Sequence, residues 1–261
     1  MKLFFLSLTL LVSSSAFADL GFTNLTEDQA KDITRDLAAN FSHRSVTGAS
    51  SLGAVFGFEA VLVAGSTDSS RLSKVSTDAG GGELKTIATA GLLLGVSVPF
   101  GFTFEYLALP SLDTNGAKFN GNSIGVKWGM NDVIPVLPVN LALRLNNSNS
   151  KFGFTQNLGG GFTGDFSNET KVQEVSLYLS PKLPIFEPYA GFGIVSAEGN
   201  LSFTGSSSMF QFSAGNSASV KVSGTKMVAG VSVQLPFFSV GVEYQNLFGT
   251  SGYGGKLGIS F

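Results

Sequence analysis

From residue 52 to the last residue, apolar and polar positions alternate with a period of two, the signature of strands with one apolar face. Ten runs carry the pattern: 52–64, 85–98, 102–109, 118–130, 139–146, 171–180, 186–196, 219–235, 238–247 and 251–261. In 85–98, Ala88, Ala90, Leu92, Leu94, Val96 and Val98 fall on one side. Lys85, Thr89, Gly91, Gly95 and Ser97 fall on the other. In 238–247, Phe238, Val240, Val242 and Tyr244 oppose Ser239, Gly241, Glu243 and Gln245. Ahead of these runs the period changes to that of a helix. Ala30, Ile33, Leu37 and Phe41 share a face, Thr26 with Gln29 forms a capping pair, and Glu27 and Asp28 sit in the first turn. The spacing predicts a helix over 27–40.

The connections alternate in character. One set is short and holds proline: Pro99, Pro135 with Pro138, Pro181 with Pro184, and Pro236. The other is long and rich in Gly, Ser and Asn: 65–84, 110–117, 147–170 and 197–218, with a shorter turn at 248–250. A soluble β-sandwich also alternates. Three features tilt the choice to a membrane barrel. The apolar runs are about ten residues, the length with which a tilted strand crosses a bilayer. Aromatics gather at strand ends, with Phe100, Phe102, Trp128, Phe186, Phe238 and Phe261 by the proline turns and Tyr244 and Tyr253 toward the other end. The number of runs is even. The predicted fold is all-β, a transmembrane antiparallel up-and-down barrel of about ten strands with a short N-terminal helix. A twelve-stranded form requires 201–212 to make a wall hairpin of its own. Its strands are too short to span, so it reads as a hairpin rising above the membrane.

With the apolar face turned to lipid, each run places a charge inward: Glu59, Lys85, Glu105, Lys127, Arg144, Glu174, Glu187, Lys226, Glu243 and Lys256. A lipid-facing Lys or Arg at mid-membrane costs about 2–4 kcal/mol, which gives the partition a cause. The charges balance in sign, which favours a salt-bridged filling over a polar conduit. Inward glycines, among them Gly91, Gly95, Gly125, Gly129 and Gly241, leave space or permit curvature, and the pattern does not choose between the two.

Composition agrees. Charged residues are 13%, with 33 Gly and 24 Phe, and the net charge of −2 excludes a general nucleic-acid binder. There is no cysteine, hence no disulfide and no cysteine-based metal or redox site. Asp113, Asn115 and Gly116 begin like a calcium loop, but its twelfth position is Ile124 and not Glu. No metal or cofactor site is predicted. The first residues, "MKLFFLSLTLLVSSSAFA", join a lysine, an apolar run too short to span and an A-x-A site at Ala16–Ala18. They predict a cleaved secretory signal at 1–18, followed by a helix and linker over 19–51 and a barrel over 52–261. No cysteine follows the site to carry a lipid anchor.

The last residues, "KLGISF", put Leu257, Ile259 and Phe261 on one face and end on an aromatic. This resembles the terminal strand of the bacterial outer-membrane β-barrel superfamily, and "EPYAGFG" at 187–193 is similar to strands of such barrels. The resemblance implies residence in the outer membrane, contact with its lipid, and reading of Phe261 by the barrel-assembly machinery. The helix resembles the N-terminal plug of fatty-acid-type outer-membrane channels, whose barrel is larger, so no ligand is carried over. The helix is expected against the periplasmic mouth or a little inside it. Ile33, Leu37 and Phe41 would serve as plug contacts, and Asp32, Arg35 and Asp36 would face the charged interior. A full-length thread through ten strands is expected to be too tight.

Hydrolytic schemes for such barrels mostly need histidine. The single one, His43, lies in the linker and is expected to be exposed, so no enzyme is predicted. The expected function is a narrow porin-like pore or transporter for small solutes. The alternative is a non-conducting structural or surface-interaction barrel acting through an extracellular ligand at 65–84, 147–170 or 197–218.

Overall fold

The structure, a computed structural model, describes residues 25–261 except 54–55, 79–82, 115–116, 135, 160–161 and 208–211. The expected signal, the glycines at 80–82 and the calcium-like Asn115 and Gly116 lie outside the described residues. A helix α1 (Glu27–Phe41) precedes strand β1 (Gly57–Asp68). A second helix α2 (Ser70–Asp78) then leads to β2 (Thr86–Val98), β3 (Phe102–Thr114), β4 (Ala117–Gly129) and β5 (Val139–Gly159). The wall continues with β6 (Phe162–Pro181), β7 (Phe186–Ser207), β8 (Phe212–Leu235), β9 (Phe238–Leu247) and β10 (Thr250–Ser260).

Each strand pairs antiparallel with its sequence neighbour, and β1 pairs with β10, so the ten strands close into a barrel. At the seam the Phe58 amide donates to the Phe261 carbonyl (2.6 Å) and the Phe261 amide donates back (2.9 Å). Their rings meet at 5.4 Å between centroids. Short turns near Pro99, Pro181 and Pro236 mark one end of the barrel. The other end carries the long hairpins and α2. There β9 and β10 are joined by Phe248 and Gly249, both at positive φ (55° and 81°), the geometry of a tight hairpin turn.

The strands are unequal, and this differs from the sequence expectation. The stretches 147–170 and 197–218, expected as loops, are in large part the upper halves of β5 to β8, which reach 20–24 residues. Their side chains explain why. In the lower half of β6, Val175, Leu177 and Leu179 face outward and are exposed, while Glu174 and Ser176 face inward and are buried. One step higher the order inverts: Lys171 and Gln173 face outward, and Val172 and Phe166 face inward. β7 inverts at the same height, with Ile194 outside below and Ser196 above, and Val195 and Leu201 inside above. Below this level the wall separates an apolar outside from a filling that is mostly polar on β4 to β8 and includes an apolar patch, Val61, Val63, Leu93 and Leu107, against Val46. Above it the wall separates water from an apolar filling.

The segment 65–84 is likewise not a plain loop. α2 packs Leu72 and Val75 against α1, and its Arg71 reaches the Thr250 hydroxyl and the Phe248 carbonyl at the turn between β9 and β10. β1 begins at Gly57, not at residue 52.

Candidate functional site

The lumen is occupied by the chain's own N-terminal segment. α1 opens with the predicted capping box, in which the Thr26 hydroxyl accepts from the Gln29 amide and the Gln29 side chain accepts from the Thr26 amide. It ends at Phe41, within one residue of expectation. Ile33, Leu37 and Phe41 are fully buried against Leu72 and Val75 of α2 and against Phe119, Phe152, Phe166 and Leu201 of the wall. The helix therefore sits at the hairpin end. This corrects the expectation of the mouth with the proline turns. The helix needs an apolar socket, and Phe119, Phe152, Phe166 and Leu201 of the wall with Leu72 and Val75 of α2 supply one at that height.

From Ser42 to Ala49 every residue is buried, and the segment runs as non-helical chain, with Val46 at positive φ (52°), down the lumen to the proline-turn end. Its contacts descend in order. Arg44 reaches the Thr67 hydroxyl and the Tyr253 carbonyl, each at 3.4 Å, high on the seam strands. His43 lies between the Ser123 hydroxyl (Nδ1, 2.8 Å) and the Glu105 carboxylate (Nε2, 2.9 Å). The Arg144 guanidinium donates to the Ser45 and Thr47 hydroxyls and to the Thr47 carbonyl (3.0 Å), and stacks 4.5 Å from the Tyr178 ring centroid. At the bottom, Glu187 accepts from the Ser50 amide (2.8 Å) and hydroxyl (2.6 Å), while Lys127 donates to the Ser50 carbonyl (2.6 Å).

A full-length thread was expected to be too tight. It fits because the thread is non-helical chain, narrower than a helix, and because inward glycines stand beside it. A β-carbon at Gly65 or Gly254 would strike Arg44, one at Gly241 would press on Val46, and one at Gly125 would meet His43 and Glu105. The glycines thus make room for the segment, the point that the sequence pattern left open.

Of the ten expected inward charges, Glu59, Glu105, Lys127, Arg144, Glu174, Lys226, Glu243 and Lys256 are buried in the lumen and Glu187 is half-buried there. Lys85 is not among them. It is exposed, precedes the first residue of β2 at the mouth and pairs with Glu83 at 3.4 Å. The rest divide into two sets. Lys256 pairs with Glu59 (2.5 Å) and Lys226 with Glu174 (3.0 Å), wall to wall. Glu105, Arg144, Lys127 and Glu187 hold the thread. Glu243 accepts from the Tyr189 hydroxyl (2.8 Å).

His43 is buried, not exposed as expected. Ser123, His43 and Glu105 have the composition of a nucleophile, base and orienting acid. Ser123 is only 2% exposed, however, and Arg144 approaches Glu105 at 3.6 Å. The arrangement ties the thread to the wall at both ring nitrogens. Neither contact was legible, because the three residues are far apart in sequence.

Higher up, Asp36 does not face the charged interior as expected. Its carboxylate accepts from the Leu72 amide (2.9 Å), Thr250 (3.1 Å) and Arg71 (3.2 Å), locking α1 to α2. Burial holds the Asp36 carboxyl above its ordinary value, against the pull of these donors. Asp32 and Arg35 pair with each other at 2.8 Å. Among the described residues no cluster of His, Asp and Glu suits a metal ion.

A family model described as "Family of unknown function (DUF6588)" matches residues 26–250. The chain belongs to this family. The matched span begins at the cap of α1 and ends at the first residue of β10, so it includes the plug together with β1 to β9. No curated protein matches. Among solved structures, the chain is similar to the translocator domain of autotransporter NalP from Neisseria meningitidis, at 12% identity and TM-score 0.47, covering 80% of this chain and 89% of that one. It is also similar to Ail, the attachment invasion locus protein of Yersinia pestis, at 14% identity and TM-score 0.33, covering 79% and 99%. A mutant porin of Rh. blastica follows at 10% identity and TM-score 0.21, covering 79% and 100%. At these scores the likenesses carry no argument, and the fold rests on the closed strand ladder itself.

Proposed function

We propose that this family member is an outer-membrane barrel stoppered by its own N-terminal segment, and that it works at the cell surface through the raised wall of β5 to β8. The band of outward Leu, Val, Ile and Phe on the lower strands supports membrane residence. The observation that carries the surface reading is the lumen: Ala30 to Ala49 fill it, and the charges that would line a conduit are spent on the thread or on each other. The reading assigns no catalytic role, since Ser123 is shut away from any substrate.

A second reading is the narrow pore for small solutes, with the plug as its gate. One observation favours it. The thread is held by polar contacts, which water can replace, and Arg44, Arg144 and Gln245 each keep a buried polar atom without a protein partner at this boundary. Planar-bilayer recording of the refolded protein separates the two. The full chain is expected to be electrically silent, and a variant lacking residues 25–50 is expected to conduct while keeping heat-modifiable barrel mobility on gels. Discrete openings of the full chain at ordinary voltages would favour the gated pore.

A further inference from the structure

Two depressions lie one above the other on the outer face of the wall, between β3 and β8. The lower has a volume of about 670 Å³ and a bed of Val126, Leu145, Val175 and Ile194. Its upper margin is a row in ladder register, Asn147 beside Gln173 and Gln173 beside Ser196, at the height where wall polarity inverts. The second depression, about 430 Å³, starts one step higher, with Asn122, Asn149 and Lys171 in one row and Asn120, Lys151 and Glu169 in the next. Both volumes suit a small-molecule ligand.

We propose that the pair of depressions is a binding site for one membrane lipid with a phosphorylated sugar headgroup. Its acyl chains lie in the lower hollow and its headgroup in the upper one. The proposal rests on the outer-membrane reading, which sets the lower hollow in the hydrocarbon and the upper one outside it. An apolar bed that passes directly into a polar bed fits an amphiphile and not a wholly soluble ligand. The height of the polar bed selects among amphiphiles. From Asn147 to Lys151 is four residues, about 13 Å along a strand and about 10 Å vertically at the usual tilt. The headgroup layer of an ordinary phospholipid is only about 5–8 Å deep on each side. A taller headgroup is needed to reach Lys151.

The side chains suit a phosphorylated sugar. Asparagine amides both donate and accept, as hydroxyl groups require. Lys151 and Lys171 bring two positive charges against one negative charge on Glu169, which pairs with Lys151 at 2.6 Å. In the row nearer the membrane Lys171 stands beside Glu198, which pairs with Lys221 at 3.6 Å, so that row keeps one surplus positive charge, where the first phosphate of such a lipid would lie.

The test is native mass spectrometry of the full chain released from micelles doped with equal amounts of bis-phosphorylated lipid A and phosphatidylglycerol. The wild type is expected to retain one lipid A. The double variant Lys151→Ala/Lys171→Ala is expected to lose about tenfold or more of that retention, as is Ile194→Trp, which fills the lower hollow. Equal retention by the variants overturns the site. Equal retention of phosphatidylglycerol overturns the sugar headgroup, and a dimer seated through β4 to β8 overturns the lipid in favour of a second copy. Failure of the chain to insert into bilayers sinks the membrane reading and this one with it. Normal insertion without lipid retention sinks this one alone.

Discussion

Arg144 shows how one side chain binds the plug to the wall. Its guanidinium fork meets Ser45, Thr47 and Gly48 on one side, and it stands over Tyr178 and near Glu105. Replacement by alanine removes the contacts to Ser45, Thr47 and Gly48 and the positive charge beside Glu105, while His43 and the Ser50 contacts remain, at an expected cost of about 3 kcal/mol. Arg144→Lys is expected to recover little, since one ammonium does not span the same acceptors. Urea unfolding in detergent micelles measures both. Asp36 gives the residue scale a pH dependence. Its folded pKa lies above the ordinary carboxyl value of about 3.9, so in that window the folded state binds more protons than the unfolded one. Its contribution is therefore complete below about 3.9 and is lost as pH rises through the raised value. Protection factors in α1 and α2, that is, exchange relative to the intrinsic rate at each pH, are expected to fall across that window in the wild type, and Asp36→Asn is expected to flatten the dependence. Wild-type protection that rises with pH would contradict this. The inward charges of the strands, Lys85 at the mouth excepted, were legible because lipid penalises the alternative. The partners of His43 and Asp36 were not, because nothing in a period of two says which strand lies opposite an unpatterned segment.

At the scale of elements, the barrel was legible below the polarity switch and hidden above it. Leu141, Leu143 and Leu145 announce a lipid-facing strand. Asn147, Asn149 and Lys151 continue the same strand in water, where outward polarity and the inward Ser148 and Ser150 read as loop. The inward Phe152, Phe154 and Phe166 were the overlooked signal, since three aromatics in a polar stretch need a cover. That cover is α1. Phe41→Ala removes a ring packed on Phe119 at 5.8 Å and is expected to loosen the helix by about 3–5 kcal/mol. The loss is expected as faster exchange in α1, with the wall ladder unchanged. Phe261 acts at the other end. Its deletion removes two backbone bonds and a ring contact with Phe58 at the closing seam. The folded fraction in the outer membrane is expected to fall, and unchanged membrane levels would remove Phe261 from assembly.

For the whole molecule, the plug fixes a topology that the strand count alone leaves open. The chain enters β1 at the proline-turn end, yet Glu27 and Asp28 at the start of α1 are exposed at the hairpin end. Between them, Ser42 to Ser50 cross the full height of the lumen. A helix about 10–12 Å across does not slip past a wall whose glycines already touch a non-helical chain. The segment either passes through unfolded and coils on arrival, or the strands close around it. In both cases the residue before α1 ends on the side of the long hairpins. With the proline turns facing the periplasm, a short epitope inserted ahead of Leu25 is expected to be bound by antibody on intact cells. The same epitope at the Pro236 turn is expected to be bound only after the envelope is opened. Protease added to intact cells is expected to remove the first epitope and leave the second. Access to the Pro236 epitope from outside would invert the barrel, whereas a hidden N-terminal epitope with a correctly oriented barrel would mean that the thread leaves the lumen in the cell. That second result would move the weight of the functional argument from a stoppered surface barrel to a gate that stands open.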